Sequence, residues 1–147
     1  MTTTPKQITK RIRKFINTVG DVDEPVYLPF TYSSEKYLPK HCLSNCEAES
    51  HFSGSPIAYG WLVWEDKKQR FIEAEFHAVI KRNNKYIDIT PRVDGEVRVL
   101  FVPDRSRVAT RLNNREWNTW KNHKSYDGRI EKTGPFKMTN THDDKLF

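Results

Sequence analysis

Between Phe71 and Ile80 the sequence alternates without a break. Ile72, Ala74, Phe76, Ala78 and Ile80 share one parity, and Phe71, Glu73, Glu75, His77 and Val79 share the other. Period two is the signature of a β-strand, whose successive side chains point to opposite faces. The first parity is wholly apolar, so this strand must bury one face against another layer. Around it, residues 57–64 (IAYGWLVW) read as a strand rich in aromatic and β-branched residues, and 65–69 as a charged hairpin loop. The alternating strand is expected over 70–81, a third over 85–90 and a fourth over 96–102. Ahead of them, Ile8, Ile12, Phe15, Ile16 and Val19 form a helical apolar stripe ending at Gly20. Thr4, Pro5 and Gln7 suggest its capping box. Residues 21–40, with Pro25, Pro29 and Pro39, read as an extended loop, and 42–50 (CLSNCEAES) as a short helix. The expected fold is therefore α+β, with N-terminal helices packed on a four-stranded antiparallel sheet.

The chain has 147 residues, enough for one domain with its own core. We place that domain at residues 1–103, followed by a basic, Asn-rich, partly ordered tail at 104–147. In the tail, Trp117 and Trp120 are spaced for one docked helix over 115–124, and the last dozen residues are expected to be mobile. No apolar run reaches the roughly 18 residues of a membrane span, and residues 1–15 lack the apolar segment of a secretory signal. Two cysteines cannot make a disulfide framework. A cytoplasmic protein is expected. Net charge is +6, and residues 1–20 hold five cations and no acid. A basic first helix and tail attract polyanions, although scattered cations more often form a solvated face.

Register decides what the alternating strand presents, because a slip of one residue exchanges its faces. A two-residue turn at Asn83-Asn84 pairs Arg82 with Lys85, and asparagine tolerates the positive φ that such a turn needs. Ile80 then meets Ile87, and His77 and Asp88 become diagonal neighbours. A three-residue loop would instead put Asp88 on the apolar face. The favoured register gathers Glu73, Glu75, His77, Asp88 and Thr90 on one face. That face either lies against solvent or is an active site, in which Asp88 orients His77 as a base.

Such a base needs a nucleophile. Cys42 opens the short helix after Lys40, where the helix dipole and the lysine favour thiolate. Cys46 lies one turn further on beside Glu47 and Glu49, which disfavour it. Cys42 is therefore the preferred nucleophile, against the reading of both cysteines as small buried hydrophobes. Asn45 either donates a hydrogen bond near the site or caps the turn. Trp61 and Trp64 either wall a substrate groove or belong to the core. Glu73 and Glu75 either bind a cationic substrate group or face water.

The order Cys42, then a strand His, then Asp on the next strand resembles the transglutaminase-like and papain-like cysteine enzymes. The segment His77-Ala-Val through Asp88-Ile-Thr-Pro91 is similar to the H-A-W…D-P-T segment of transglutaminase-like domains. Val79 stands in place of the Trp, the His–Asp spacing is short, and no W-A-x-A motif surrounds Cys42. A wider run, Gly60 to Pro91, also looks similar to small bacterial proteins that carry no assigned activity. The resemblance implies a papain/transglutaminase-like fold and a Cys42–His77–Asp88 triad. The implied chemistry is cysteine-dependent acyl transfer: hydrolysis, deamidation or transamidation of an amide or thioester in a peptide, protein or small molecule. It implies no cofactor.

Three rivals stand beside it. His41, Cys42, Cys46 and His51, or Glu73, Glu75, His77 and Asp88, are sets of metal-ligand types. The basic helix and the Trp117/Trp120 tail suit weak nucleic-acid binding, through stacking and phosphate contacts. Val79 in place of Trp is also compatible with a degenerate enzyme fold kept for protein interaction.

Overall fold

In the computed structural model, which describes residues 1–29 and 36–139, the alternating segment is strand β3 (Phe71–Arg82). It pairs antiparallel with β2 (Ile57–Asp66), from Ile57 opposite Ile80 to Asp66 opposite Phe71. The alternation sorts side chains as period two requires. Ile72, Ala74, Phe76, Ala78 and Ile80 enter the main core with Trp61 and Val63 of β2. Helix α1 (Lys10–Val19) covers that core with Ile12, Phe15, Ile16 and Val19, and helix α2 (Cys42–Ser53) with Leu43 and Cys46. On the other face Val79, Leu62, Trp64, Val99 and Phe101 form a second buried cluster.

The Asn83-Asn84 turn has the expected form. Both residues are left-handed (φ 53° and 62°), and β4 (Lys85–Ile87) pairs Lys85 with Arg82 and Ile87 with Ile80. The strand stops at Ile87 rather than Thr90, because the Thr90 amide turns back to Asp88 Oδ1 at 3.2 Å. Pro91 follows and cannot donate to a ladder.

The sheet is wider than four strands. With β1 (Val26–Pro29), β5 (Arg98–Pro103), β8 (His123–Tyr126) and β9 (Arg129–Glu131) it has seven strands, in the order β1-β5-β2-β3-β8-β9 with β4 also on β3. Residues 104–139 therefore do not hang from the domain as a tail. β8 pairs with β3, while β6 (Thr110–Arg111), β7 (Glu116–Trp120) and β10 (Pro135–Thr139) make a second antiparallel sheet. The helix expected over 115–124 is instead β7 and β8. Trp117 and Thr119 are buried two positions apart, a strand period, and Trp117 joins the main core. Residues 30–35 of the expected loop and 140–147 of the expected mobile end lie outside the described residues.

α1 also starts later than its capping box suggested. The Thr9 hydroxyl caps it, accepting from the Ile12 amide at 3.2 Å. Thr4 is drawn away by tertiary partners: its amide donates to Glu96 Oε1 and its hydroxyl to the Arg98 carbonyl, both at 3.1 Å. α2 ends at Gly54, a left-handed cap (φ 74°) whose amide donates to the Ser50 carbonyl at 2.9 Å. Among the described residues no helix is long and apolar enough to cross a membrane.

Candidate active site

The outer edge of β3 is paired with β8 over Phe71–Ala74 and with β4 over Ile80–Arg82. Glu75 to Val79 lies between these two ladders, and there the chain leaving β4 meets His77. His77 Nε2 and Asp88 Oδ1 are 3.0 Å apart. Asp88 Oδ1 also accepts from the Thr90 amide. His77, Asp88 and Thr90 are 4%, 2% and 2% exposed, so this is no solvated sheet face.

Cys42 is the first residue of α2, which packs on β3, and its half-buried thiol lies near enough to His77 to act on the ring. With Nε2 committed to Asp88, Nδ1 is the nitrogen left for the thiol. The first amide to bond back along the helix is Asn45, to the His41 carbonyl at 2.9 Å. The Cys42 and Leu43 amides precede it, at the positive end of the helix dipole.

The charges support one another. Burial disfavours a charged His77 ring, but the negative charges of Asp88 and Cys42 and their hydrogen bonds outweigh it, so its pKa is raised well above the ordinary value. Burial works against an ionised Asp88 as well, yet His77, the Thr90 amide and Arg92 hold its pKa below the usual carboxylate range. Cys46 is different. It is fully buried, and burial, with Cys42, Asp88 and Glu49 adding repulsion, pushes its pKa well up. The structure thus separates a half-exposed thiol near the His77–Asp88 pair from an enclosed one kept protonated.

The remaining expected site residues divide. Asn45 is buried; its amide group donates to the Leu38 carbonyl (2.9 Å) and to Thr90 Oγ1 (3.2 Å) and accepts from the Leu38 amide (3.3 Å). It holds the turn before α2 through both backbone groups of Leu38 and ties α2 to the Asp88–Thr90 segment, so of the two expected roles it takes the turn-capping one, with Thr90 as a further partner. Trp61 is walled into the core, with Nε1 donating to Asp104 Oδ2 at 3.0 Å; it has no surface to line a groove. Glu73 accepts from Asn122 Nδ2 at 3.1 Å with Lys124 nearby, and Glu75 accepts from Trp64 Nε1 at 3.3 Å. Both carboxylates thus have partners of their own, Asn122 and Trp64.

Among the described residues no three His, Cys, Asp or Glu side chains are placed to hold a metal. Neither ligand set read from the sequence is assembled. The two tail tryptophans are also not free stacking platforms. Arg111 lies 4.4 Å from the Trp117 ring centroid and Arg107 4.6 Å from that of Trp120, and Trp117 is buried. A cavity of about 240 Å³ opens elsewhere, between α1 and residues 22–25, and is lined by none of Cys42, His77 and Asp88.

Sequence reasoning missed a buried polar hub at Asp104. Its carboxylate takes Trp61 Nε1, Arg107 and the Ser106 and Arg107 amides. His123 sits beside it, 1% exposed and edge-on to Trp61 at 4.7 Å between centroids, with neither ring nitrogen hydrogen-bonded among the described residues. Nothing in the local pattern of HKSY marks this burial. Burial first, then Arg107 and Lys132, push its pKa down to about 4, against a smaller opposing pull from Asp104. The unfolded chain therefore takes up this proton first, and stability is expected to fall as pH drops from about 6.5 toward 4. His77 acts oppositely: its contribution is present below about 6.5 and is lost as pH rises through its elevated folded value. Urea midpoints of wild type and His123→Phe across this window isolate His123. The variant should show the shallower decline, and equal slopes would refute the assignment.

No protein-family profile, curated protein or solved structure matches the chain.

Proposed function

We propose that this protein is a cysteine-dependent acyl-transfer enzyme of papain- or transglutaminase-like type, with Cys42 as nucleophile, His77 as base and Asp88 as orienting acid. One observation carries the reading: a buried histidine is paired with a carboxylate at 3.0 Å and stands near the only one of the two thiols that reaches the surface. In the reaction His77 takes the Cys42 proton, and the thiolate sulfur attacks the substrate carbonyl carbon. Negative charge develops on the carbonyl oxygen, where the Cys42 amide is a candidate donor. As the C–N or C–S bond breaks, His77 returns its proton to the leaving amine or thiol. Water or an amine then attacks the acyl-cysteine, loses a proton to His77, and releases Cys42. Throughout, Asp88 holds the ring in one orientation and stabilises its charged form. The substrate class is an amide or thioester of a peptide, protein or small molecule.

The test is the iodoacetamide alkylation rate of each cysteine against pH, in wild type and His77→Ala. Cys42 should react at pH 6, and the substitution should slow it about 10²-fold. Cys46 should stay unmodified until the chain unfolds. A Cys42 rate indifferent to His77 would remove the basis of the proposal.

A further inference from the structure

Strand β4 ends at Ile87, so the ladder it makes with β3 does not reach Asp88, Ile89 and Thr90. Ile89 sinks into the main core, which sets the depth of the segment but not the direction of its polar side chains. That direction is set by a path of hydrogen bonds that starts on α2. The backbone amide of Asn45 donates to the His41 carbonyl at 2.9 Å, in the first turn after Cys42. The Asn45 side chain accepts from the Leu38 amide at 3.3 Å and donates to the Leu38 carbonyl at 2.9 Å. Those two bonds fix which end of the carboxamide is which, because the Leu38 amide needs an acceptor and its carbonyl a donor. Nδ2 has a second hydrogen, and it is directed to Thr90 Oγ1, 3.2 Å away. Thr90 passes the constraint on. Its amide donates to Asp88 Oδ1 at 3.2 Å, the same oxygen that pairs with His77 Nε2 at 3.0 Å. Asn45, Thr90, Asp88 and His77 are all buried, so solvent competes little for these bonds and a broken one leaves an unpaired polar group.

We propose that Asn45 and Thr90 are positioning residues of the site: their hydrogen bond locks Asp88, and with it the His77 ring, to the helix that begins at Cys42. This rests on the cysteine-enzyme reading and adds to it a link between the helix of the nucleophile and the base. Cys42 and Asn45 are three positions apart on α2, so they stand on neighbouring turns of one rigid element. Without the link the Asp88–Thr90 segment shifts apart from α2, and His77 loses its fixed bearing on the thiol. Both residues act through Asp88 rather than on the reacting atoms.

The experiment is the rate of Cys42 alkylation by iodoacetamide at pH 6 in Thr90→Val, Thr90→Ser and Asn45→Ala, with Thr90→Val also made in a His77→Ala background. Valine keeps the shape of threonine and removes the acceptor, whereas serine keeps the hydroxyl. Thr90→Val and Asn45→Ala should each react about tenfold more slowly than wild type. Thr90→Ser should stay within about twofold of it. In the His77→Ala background Thr90→Val should slow the reaction no further, because a residue acting through His77 then has nothing to position. Equal rates in wild type and Thr90→Val would overturn the proposal. So would a loss that persists undiminished in His77→Ala, or one that serine shares, since either marks a packing role. Should the variants fail to fold, the wild type still decides: the Asn45 side-chain amide protons should show nuclear Overhauser contacts to the Thr90 side chain, and their absence would overturn the link. If wild-type Cys42 reacts without dependence on His77, the enzyme reading itself falls and this inference falls with it. A His77-dependent wild type matched by Thr90→Val removes this inference alone.

Discussion

Gly60→Ala is expected to destabilise the fold by about 3 kcal/mol, the upper end for overpacking a core. Gly60 lies in β2 between two partner strands, opposite His77 on one side and Pro103 on the other. A Cβ there would stand 2.3 Å from the Val102 carbonyl oxygen and 2.7 Å from a ring carbon of Phe101. Neither neighbour has room to yield. The carbonyl belongs to the β2–β5 ladder, and Phe101 is fully buried in the second cluster. Relief would require β2 and β5 to separate where β2 supports His77. Reactivity of Cys42 should therefore fall together with stability. A urea denaturation midpoint settles it: a change below about 0.5 kcal/mol, the range of harmless surface substitutions, would mean that the close approach relaxes without cost.

Asp88→Asn separates charge from shape. Asparagine can still accept from the Thr90 amide and from His77 Nε2, so the fold should tolerate it. What disappears is the negative charge that, with Cys42, overcomes burial and holds the His77 ring charged. Burial is then less opposed, and the ring's pKa falls. Iodoacetamide alkylation of Cys42 at pH 6 is expected to drop about 10²-fold or more, the scale of losing the orienting acid from a nucleophile–base pair. Ring-nitrogen chemical shifts of His77 should show an imidazole that titrates at lower pH than in wild type. An unchanged rate beside a normal denaturation midpoint would leave Asp88 as a purely structural partner.

The His77–Asp88 pair was legible because its two members are related by short-range rules. Strand alternation puts His77 on a definite parity, and the Asn83-Asn84 turn sets the register that brings Asp88 beside it. Only eleven positions separate them, and turn chemistry spans that distance. The same local logic places Cys42 at a helix start. The C-terminal strands obeyed no such rule. β6 has two residues and β9 three exposed ones, too short for a period to be read, and their partners lie far along the chain. The tryptophan spacing in β7 fits a helix as readily as a strand until the second sheet supplies neighbours.

Periodicity, turn residues and cap candidates thus determined the strand faces, the β3–β4 register and the two helices, since each is an interaction between residues a few positions apart. The tertiary structure decided which of these were used and to what end. It chose Thr9 over Thr4 as the cap, because Thr4 is held by Glu96 and Arg98. It turned Glu75 to Trp64, Asn45 to Thr90 and Trp61 to Asp104, giving each a partner inside the fold. It also left Cys42 half-exposed at the start of the helix that packs on the His77 strand while enclosing Cys46 one helical turn away. Those outcomes depend on burial and on partners many residues distant, which no local pattern encodes.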